Sequence, residues 1–333
     1  MAAHRDGRNE WRRSRGGGGV SRADELVNAT AVLCDVGGHD GVLERVLASL
    51  GVDVESGELP RWLRVIQVGD LVRLSRRRGA GSDRCVEIAD RFLTTSPGRW
   101  TQLAGNHELA CLGGSRMASW DAPSDALSTS TIRTLRRWWD EGAMEVATPA
   151  SFREQPTLVT HAGLTYQRYA MIGLPPTPID AAMVLNEDVG EDPLRWGAPG
   201  VLVSGVPSPD ADCLWADAGS ELYPSWVGRE MAFTQIHGHS QVFDWGRFAW
   251  RTDLSDEVKA RTVVDPIQRT VRFDGVGGVL LGIDWTLTDV SSVPERLPPA
   301  VVSTPAAGSG FVGLDAFGMW PERMSAPCAL EVR

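Results

Sequence analysis

The chain has 333 residues, of which 42% are hydrophobic and 23% charged, and its formal net charge is -10. This length suits one large domain or two small ones, and the apolar fraction is enough to build a core. The acidic balance argues against general nucleic-acid binding, which needs a basic face. No run approaches the roughly 20 uninterrupted apolar residues of a membrane-spanning helix, so we expect a cytoplasmic protein without a membrane partner.

The first predicted segment is a basic tail. Residues 1–22 contain five arginines up to Arg15, then the glycine run Gly16–Gly19, and almost nothing apolar to bury. We therefore expect residues 1–22 to be disordered.

From Thr30 onward, short apolar runs end in a small or acidic residue, and the first two are followed by amphipathic stretches. The predicted strands are Thr30–Cys34, Trp62–Val68 and Trp100–Leu103. Apolar residues at helical spacing follow the first two strands, at Val42, Leu43, Val46, Leu47 and Leu50 and at Val86, Ala89, Phe92 and Leu93. This alternation of strand and helix predicts an α/β fold.

The second half begins with a longer predicted helix over Ser124–Glu141, with Ser124 as its N-cap. Two strand-like runs, Thr157–Thr160 and Ala232–Ile236, lead into histidines. The pattern then changes to strands separated by turn residues, which predicts an antiparallel ending over Gln241–Trp250, Gln268–Phe273 and Gly278–Ile283. Residues 291–333 are expected to form a Pro/Ser/Ala-rich linker and C-terminal tail, which leaves residues 23–290 as the domain.

Several catalytic patterns are absent from the sequence. Lys259 is the single lysine, and it does not stand in the Gly-Lys-Ser/Thr context of a P-loop. No G-x-S-x-G nucleophile elbow occurs. The segment His107–Cys111 lacks the second histidine of the zinc pattern H-E-x-x-H. The five cysteines are scattered without a C-x-x-C pair, so we expect reduced thiols.

Polar side chains follow the predicted strands at the points where those strands end. They are Asp35, His39, Asp70, Asn106, His107, His161, His237 and His239. Any one of them alone is more often a turn, a cap or a hydrogen-bonded structural histidine than a ligand. Because ligands collect at the carboxyl ends of strands in α/β sheets, their joint occurrence favours a metal site. Carboxylate, amide and imidazole groups together suit Mn, Fe or Zn rather than a calcium or thiolate zinc site.

Five motifs, in this order, resemble the calcineurin-like metallophosphoesterase superfamily, and more closely its bacterial Ser/Thr protein phosphatases and diadenosine-tetraphosphatase-like members. The motifs are Asp35-x-x-Gly38, Gly69-Asp70, Gly105-Asn106-His107-Glu108, His161-Ala162-Gly163 and Gly238-His239. Leu214-Trp215-Ala216-Asp217 is similar to the Leu-Trp-Ser-Asp segment of the Ser/Thr phosphatases, and Gly282-Ile283-Asp284 is similar to their late strand.

The resemblance implies a four-layer α/β sandwich of two mixed sheets, with one or two divalent ions (Mn, Fe or Zn) at the strand ends. By the resemblance, Asp70 would bridge two metals, Asn106, His161 and His239 would complete the second site, and Asp35 would hold the first. A metal-activated hydroxide would attack the phosphorus of a phosphomonoester of a protein or small nucleotide. His107 would protonate the leaving oxygen or stabilise the transition-state charge, and Glu108 would orient a ligand or the loop.

The sequence departs from the family pattern at the first metal site and at the phosphate clamp. The family's Asp-x-His-Gly reads Asp35-Val36-Gly37-Gly38 here, and Gly37 has no side chain to ligate a metal. In the family's Gly-Asp-x-x-Asp-Arg-Gly, Arg73 stands where an aspartate would orient His107, and Leu74 stands where an arginine would bind phosphate.

Three accounts of these departures stay open. His39 could replace the lost ligand while the run Arg76–Arg78 supplies a phosphate clamp. Alternatively, the protein binds one metal and is a weak or narrow phosphoesterase. In the third account it is a catalytically inactive relative that binds a phosphorylated partner or nucleotide. His237 is expected to be a packed strand residue rather than a further ligand.

Overall fold

The computed structural model describes residues 29–75, 80–191, 198–245, 247–251, 254–265 and 270–283, together with the backbone of 301–303 and 311–313. The predicted basic tail, the Arg76–Arg78 run, Asp284 and most of the predicted linker and tail lie outside these residues. Two short strands within 291–333 add to a sheet. The division of the chain into 1–22, 23–290 and 291–333 stays a prediction.

The described strands form two six-stranded sheets and a small two-stranded sheet. The strands are β1 (Ala29–Leu33), β2 (Leu63–Gln67), β3 (Trp100–Leu103), β4 (Met144–Glu145), β5 (Ala147–Phe152), β6 (Gln155–Thr160), β7 (Thr234–His237), β8 (Phe243–Asp244), β9 (Ala249–Trp250), β10 (Thr262–Asp265), β11 (Thr270–Asp274), β12 (Val279–Ile283), β13 (Val301–Ser303) and β14 (Phe311–Gly313).

Both large sheets mix parallel and antiparallel pairs. The first has the order β14-β13-β1-β2-β3-β4, in which β1 to β4 are parallel and β13 and β14 are antiparallel to their neighbours. The second has the order β10-β11-β12-β7-β6-β5. Its centre, β12-β7-β6, is parallel, and both of its edges are antiparallel. Because these strands are parallel, the carboxyl ends of β1, β2 and β3 lie at one edge of the first sheet, and those of β6 and β7 lie at one edge of the second. Such edges are where ligands bind in α/β folds.

The helices connect these strands. They are α1 (Asp40–Ser49), α2 (Ser82–Thr95), α3 (Asn106–Cys111), α4 (Pro123–Ala126), α5 (Thr129–Glu141), α6 (Tyr166–Met171), α7 (Pro178–Glu191), α8 (Gly200–Ser204), a π-helix (Ala218–Leu222), α9 (Tyr223–Trp226) and α10 (Asp256–Ala260). No helix in the described part of the chain combines the length and the apolar character needed to cross a bilayer.

The two large sheets pack face to face, and helices cover their outer faces. One core cluster lies between the sheets and joins Val32, Ile66 and Leu103 of the first sheet to Val159 and Ile236 of the second. Neighbouring strand residues such as Ala31 and Leu33 point the other way, into a second cluster that they share with helical residues. Because both faces of these strands are buried, their sequences are continuous apolar runs. The result is a four-layer α/β sandwich, as the family resemblance implied.

The predicted helix over Ser124–Glu141 is wrong in its start. The structure has two helices, α4 and α5, separated by Leu127, whose backbone is extended at φ -127° and ψ 153°. Ser128, not Ser124, caps the longer helix, because its hydroxyl accepts a hydrogen bond from the Thr131 backbone N–H at 3.2 Å. Ser124 lies inside the short helix instead.

The antiparallel ending is confirmed for β11 and β12, and β10 is an additional strand beside β11 that was not predicted. The ending differs in two further details. Strand β12 pairs in parallel with β7, so the late strands continue the second sheet. The predicted strand Gln241–Trp250 is the separate hairpin β8–β9.

Candidate metal centre

The candidate ligands lie just after the carboxyl ends of strands from both sheets. Asp35, Asp70 and Asn106 follow β1, β2 and β3 of the first sheet, and His161 and His239 follow β6 and β7 of the second. Each loop leaves its strand at the same end because these strands are parallel within their sheets. The face-to-face packing of the sheets then brings the two sets of loops together.

Four of the side chains form one compact cluster. Asp35, Asp70, His161 and His239 each offer a ligand atom, and these atoms all lie within 4.8 Å of one another. His161 Nε2 is 3.6 Å from Asp70 Oδ2, and its Nδ1 is 3.7 Å from Asp35 Oδ1. In the part of the chain that the structure describes, this is the one group of His, Cys, Asp and Glu side chains with such geometry.

Hydrogen bonds fix which nitrogen of each histidine faces the cluster. His161 Nδ1 lies 3.0 Å from the Val68 carbonyl oxygen, which can only accept a hydrogen bond. Nδ1 therefore carries the proton, and Nε2 presents its lone pair. The His239 ring is hydrogen-bonded to the Trp215 backbone, which likewise leaves Nε2 for the cluster. Backbone partners of this kind hold metal-ligating histidines in one tautomer and one orientation.

Three buried polar atoms support the presence of a cation here. Asn106 Oδ1, His161 Nε2 and His239 Nε2 have no hydrogen-bond partner in the protein. A buried polar atom without a partner costs free energy, so native proteins rarely keep several in one place without a ligand. All three atoms carry lone pairs, and the two histidine nitrogens belong to residues that cluster with two carboxylates. The donor set therefore fits a divalent Mn, Fe or Zn ion.

Glycines make room for the ligand carboxylates. A Cβ added to Gly105 would lie 2.2 Å from Asp70 Oδ1, and one added to Gly238 would lie 2.6 Å from Asp35 Oδ1. Any other residue at these positions would displace a ligand. Asp70 and His239 themselves have positive φ values of 52° and 66°. Such backbone strain at non-glycine residues is typical of functional sites.

Without a bound cation, the charged forms of the cluster side chains are unfavourable. Burial, and then the charges of Asp35 and Glu108, raises the pKa of Asp70. Burial also lowers the pKa of His239 to about 4 and that of His161 well below its ordinary value. The protein thus places like charges together in a poorly solvated site, and a divalent cation would stabilise both carboxylates.

Glu108 joins the loops that carry the ligands. Its carboxylate accepts hydrogen bonds from the backbone N–H groups of Asp70 at 2.7 Å, Val72 at 3.0 Å and Gly105 at 2.8 Å. The side chain is fully buried. It therefore orients the Asp70 and Asn106 loops without reaching the cluster itself.

His107 lies beside the cluster, on the first turn of α3. Its backbone N–H donates to Asp70 Oδ1 at 3.0 Å, and its ring Nε2 is 3.9 Å from Asp70 Oδ2. The ring stacks on Trp120 with centroids 3.8 Å apart, and Trp120 stacks in turn on Trp215. Burial, then the charges of Arg73 and His239, lowers the pKa of His107 to about 3. At neutral pH the imidazole is therefore neutral.

Two other histidines lie outside the cluster. Both ring nitrogens of His237 have partners, the Tyr223 hydroxyl at 3.2 Å and the Gly238 carbonyl at 3.0 Å, so it is a packed strand residue. His39 precedes α1, and its Nε2 is buried without a hydrogen-bond partner. Its role as a replacement ligand stays a prediction, as do the roles of the other site residues.

Two features of the site could not be recognised from the sequence. They are the aromatic stack on His107 and the contact of Asp217 with Arg251. No spacing rule marks Trp120, which the fold brings from the loop after α3 onto His107. In the sequence, Asp217 is marked only by the motif Leu214-Trp215-Ala216-Asp217. Burial opposes its charge, but the hydrogen bond and charge of Arg251, 2.6 Å away, hold the pKa of Asp217 below its ordinary value.

No protein-family model matches the sequence, and no curated protein matches it. Solved structures are similar in part. A protein serine/threonine phosphatase from Saccharomyces cerevisiae is 12% identical with a TM-score of 0.48, over 89% of this chain and 82% of that one. A putative diadenosine tetraphosphatase is 14% identical with a TM-score of 0.41, over 88% and 96%. A cold-active protein-tyrosine phosphatase of a psychrophilic Shewanella is 12% identical with a TM-score of 0.45, over 77% and 78%.

The likeness of this chain to the calcineurin-like metallophosphoesterases rests on the order of five motifs and on the buried cluster in which side chains of four of these motifs meet.

Proposed function

We propose that the chain is a metal-dependent phosphoesterase that hydrolyses a phosphomonoester of a protein or a small nucleotide. The observation that carries this proposal is the buried cluster of two carboxylates and two histidines, together with the unpartnered atoms Asn106 Oδ1, His161 Nε2 and His239 Nε2. Asp35, Asp70, Asn106, His161 and His239 would hold the cation. A divalent cation bound there supplies Lewis-acid polarisation of a phosphoryl oxygen and lowers the pKa of bound water.

The protein's own contribution is to hold these groups in place before substrate arrives. Glu108 and the glycines at 105 and 238 fix the ligand loops, so no reorganisation is needed during the reaction. The stack of Trp215, Trp120 and His107 forms an apolar wall along one side of the cluster. Such a wall excludes water and strengthens the electrostatic interactions inside the site.

The proton on His107 can be placed from its hydrogen bonds. The Leu74 backbone N–H donates to His107 Nδ1 at 3.1 Å, so the neutral ring carries its proton on Nε2. Nε2–H faces the cluster, where it can donate a hydrogen bond to an oxygen of the phosphate as negative charge develops. Of the two roles that the family resemblance implied, this arrangement supports stabilisation of the transition-state charge over proton donation.

Hydrolysis of p-nitrophenyl phosphate by Mn-loaded protein tests the proposal. We expect turnover in the natural chain and a loss of at least about 100-fold in Asp70→Asn, which keeps the size of the side chain but removes its charge. Asp256→Asn, at the exposed start of α10, is the matched control and should leave the rate unchanged. Equal rates for Asp70→Asn and the natural protein would remove the enzymatic claim.

A second candidate is a catalytically inactive domain that binds a phosphorylated protein or nucleotide. Two departures from the family pattern favour it. Gly37 has no side chain to ligate a metal, and Leu74 places a fully buried apolar side chain where the family has an arginine. This candidate predicts measurable affinity for a phosphorylated ligand with no turnover on any phosphoester. Calorimetric binding of Mn-loaded protein to inorganic phosphate, run beside the hydrolysis assay, separates the two.

A further inference from the structure

Arg73 reaches the loop in which the family's first metal ligand is missing. It follows the ligand Asp70 by three residues, and its Nη1 lies 3.7 Å from the position that a Cβ on Gly37 would occupy. The His39 ring borders the same point, with Cδ2 at 3.9 Å. A guanidinium and an imidazole therefore surround the space into which a side chain at position 37 would extend.

The backbone around Arg73 is held firmly against this loop. The N–H groups of Val36 and Gly37 both donate to the Asp70 carbonyl oxygen, at 3.1 and 2.7 Å. The Arg73 N–H donates to the Ser82 hydroxyl at the start of α2, at 3.1 Å. These bonds fix the position of the arginine stem relative to both Asp35 and Asp70.

The charge of Arg73 acts on three groups that surround the cluster. After burial, it is the next largest cause of the lowered pKa of His107 and of His39. It also opposes the rise in the pKa of Asp70. These interactions agree with the position of the guanidinium beside Gly37.

Charge balance then favours one metal ion instead of two. The described part of the chain holds one ligand group, whose two carboxylates a single divalent cation neutralises. A phosphate monoester adds up to two negative charges at neutral pH. Arg73 supplies a fixed positive charge to meet them, and a guanidinium offers a planar set of N–H donors that matches two phosphate oxygens at once.

We propose that this site consists of one divalent cation and one guanidinium, with Arg73 taking the place of the first metal ion and binding the phosphate of the ligand. The phosphate part of this inference rests on the proposed function. It differs from the sequence expectation for the clamp, since Arg73 stands at the family's aspartate position and not within Arg76–Arg78. Arg73 can bind phosphate here because position 37 is a glycine and not the histidine of the family, which leaves space for the guanidinium.

The first test is a count of bound metal. Purified protein is stripped with a chelator and titrated with Mn²⁺, and the bound ion is measured by elemental analysis and by electron paramagnetic resonance. We expect one Mn²⁺ per chain with the six-line spectrum of an isolated ion. Two ions per chain with a spin-coupled spectrum would overturn the proposal.

The second test measures binding of inorganic phosphate to Mn-loaded protein by calorimetry. Arg73→Leu should bind one Mn²⁺ as before but lose at least about tenfold in phosphate affinity, since hydrogen bonds to charged groups are worth about 1.5–3 kcal/mol. Arg73→Lys keeps the charge and a long stem and should lose less. Arg45→Leu, an exposed arginine on α1, is the matched control and should bind phosphate as the natural protein does.

Unchanged phosphate affinity in Arg73→Leu would overturn the proposal, and so would an equal loss in Arg45→Leu. Should Arg73→Leu fail to fold, Arg73→Lys is compared with the natural protein. A loss of phosphate affinity in Arg73→Lys supports the proposal, and unchanged affinity overturns it. A chain that binds one Mn²⁺ and needs Arg73 for phosphate, yet hydrolyses no phosphoester, would contradict the proposed function while leaving this inference intact.

Discussion

The backbone N–H of Leu74 donates a hydrogen bond to Nδ1 of His107 across 3.1 Å. Because an N–H group cannot accept, an imidazolium with a proton on Nδ1 would face a second donor there. This geometry and the low pKa of His107, about 3, both hold the ring neutral at physiological pH. His107 therefore acts through Nε2–H as a hydrogen-bond donor.

This role predicts a specific pattern in two His107 variants. His107→Ala should reduce kcat on p-nitrophenyl phosphate by about 100-fold, the usual cost of removing one donor to a developing charge. His107→Gln, which places an amide N–H near the position of Nε2, should lose less than about tenfold. The ratio of natural to Ala rates should stay constant between pH 6 and pH 8. A glutamine variant as inactive as the alanine variant, or a ratio that falls steeply as the pH rises, would indicate a general acid instead.

The Glu108 carboxylate offers a test of loop positioning. Glu108→Gln replaces an acceptor oxygen by a donor NH₂ group and leaves at least one of three buried backbone N–H groups without a partner. We expect the free energy of unfolding to fall by about 1–3 kcal/mol and the Mn²⁺ affinity to fall by about 10–100-fold. Denaturant unfolding and Mn²⁺ titration measure the two effects.

Glu221 is a matched control for Glu108. It is also buried and accepts three backbone N–H bonds, from Val201 at 2.8 Å, Ser208 at 2.7 Å and Asp217 at 2.8 Å. Glu221→Gln should therefore cost similar stability without a comparable change in Mn²⁺ affinity. If both variants lost metal equally, the effect of Glu108→Gln would reflect general destabilisation.

The two clustered carboxylates predict that the metal-free protein is destabilised by its own site. The charge of Asp35 raises the pKa of Asp70, so the two carboxylates repel each other when no cation is bound. Asp35→Asn keeps an oxygen that can accept from the His239 N–H, at 3.2 Å in the natural chain. Without metal, we expect this variant to be more stable than the natural protein, because the repulsion between the two carboxylates is removed.

Saturating Mn²⁺ should reverse that order. A ligand at about 100 times its Kd stabilises the folded state by about 2.7 kcal/mol, and Asp35→Asn should lose most of this gain. Thermal or denaturant unfolding with and without Mn²⁺ checks both halves of the prediction. An Asp35→Asn protein that is less stable than the natural chain in the absence of metal would show that the repulsion is unimportant.

Close packing at Gly105 predicts a severe effect of a single methyl group. The added Cβ of Gly105→Ala would lie 2.2 Å from Asp70 Oδ1 and 2.5 Å from the Asp70 backbone nitrogen. We expect a loss of more than about 3 kcal/mol in stability and of Mn²⁺ binding, because backbone must move. Gly41→Ala is the control. Its Cβ would meet nothing closer than 3.5 Å, and in α1 it should stabilise by about 0.5–1 kcal/mol.

The strand ends, and the side chains that follow them, could be predicted from the sequence because both depend on local residue patterns. Asp35, Asp70 and His161 follow buried apolar runs, and parallel pairing brings such positions to one edge within each sheet. The break at Leu127 was not predictable in this way, because the helical periodicity continues across it. The stacking of Trp120 on His107 and the approach of Arg73 to the space beside Gly37 join residues distant in the sequence, so only the packed fold shows them.

The last prediction concerns the dependence of stability on pH, and His237 carries it. Burial lowers the pKa of this ring from its model-peptide value of 6.5 to about 4 in the folded protein. The unfolded chain therefore takes up a proton below pH 6.5 while the folded chain does not, and stability falls as the pH decreases from 6.5 toward 4. At pH 5 the loss of stability from this one residue should be about 2 kcal/mol.

We expect metal-free His237→Gln to lose about 2 kcal/mol less than the natural protein between pH 7 and pH 5, as measured by urea unfolding. Between pH 7 and pH 8 the two proteins should change equally, because the ring is neutral in both states. Equal losses between pH 7 and pH 5 would mean that His237 becomes protonated in the folded protein, despite its hydrogen bonds to Tyr223 and Gly238.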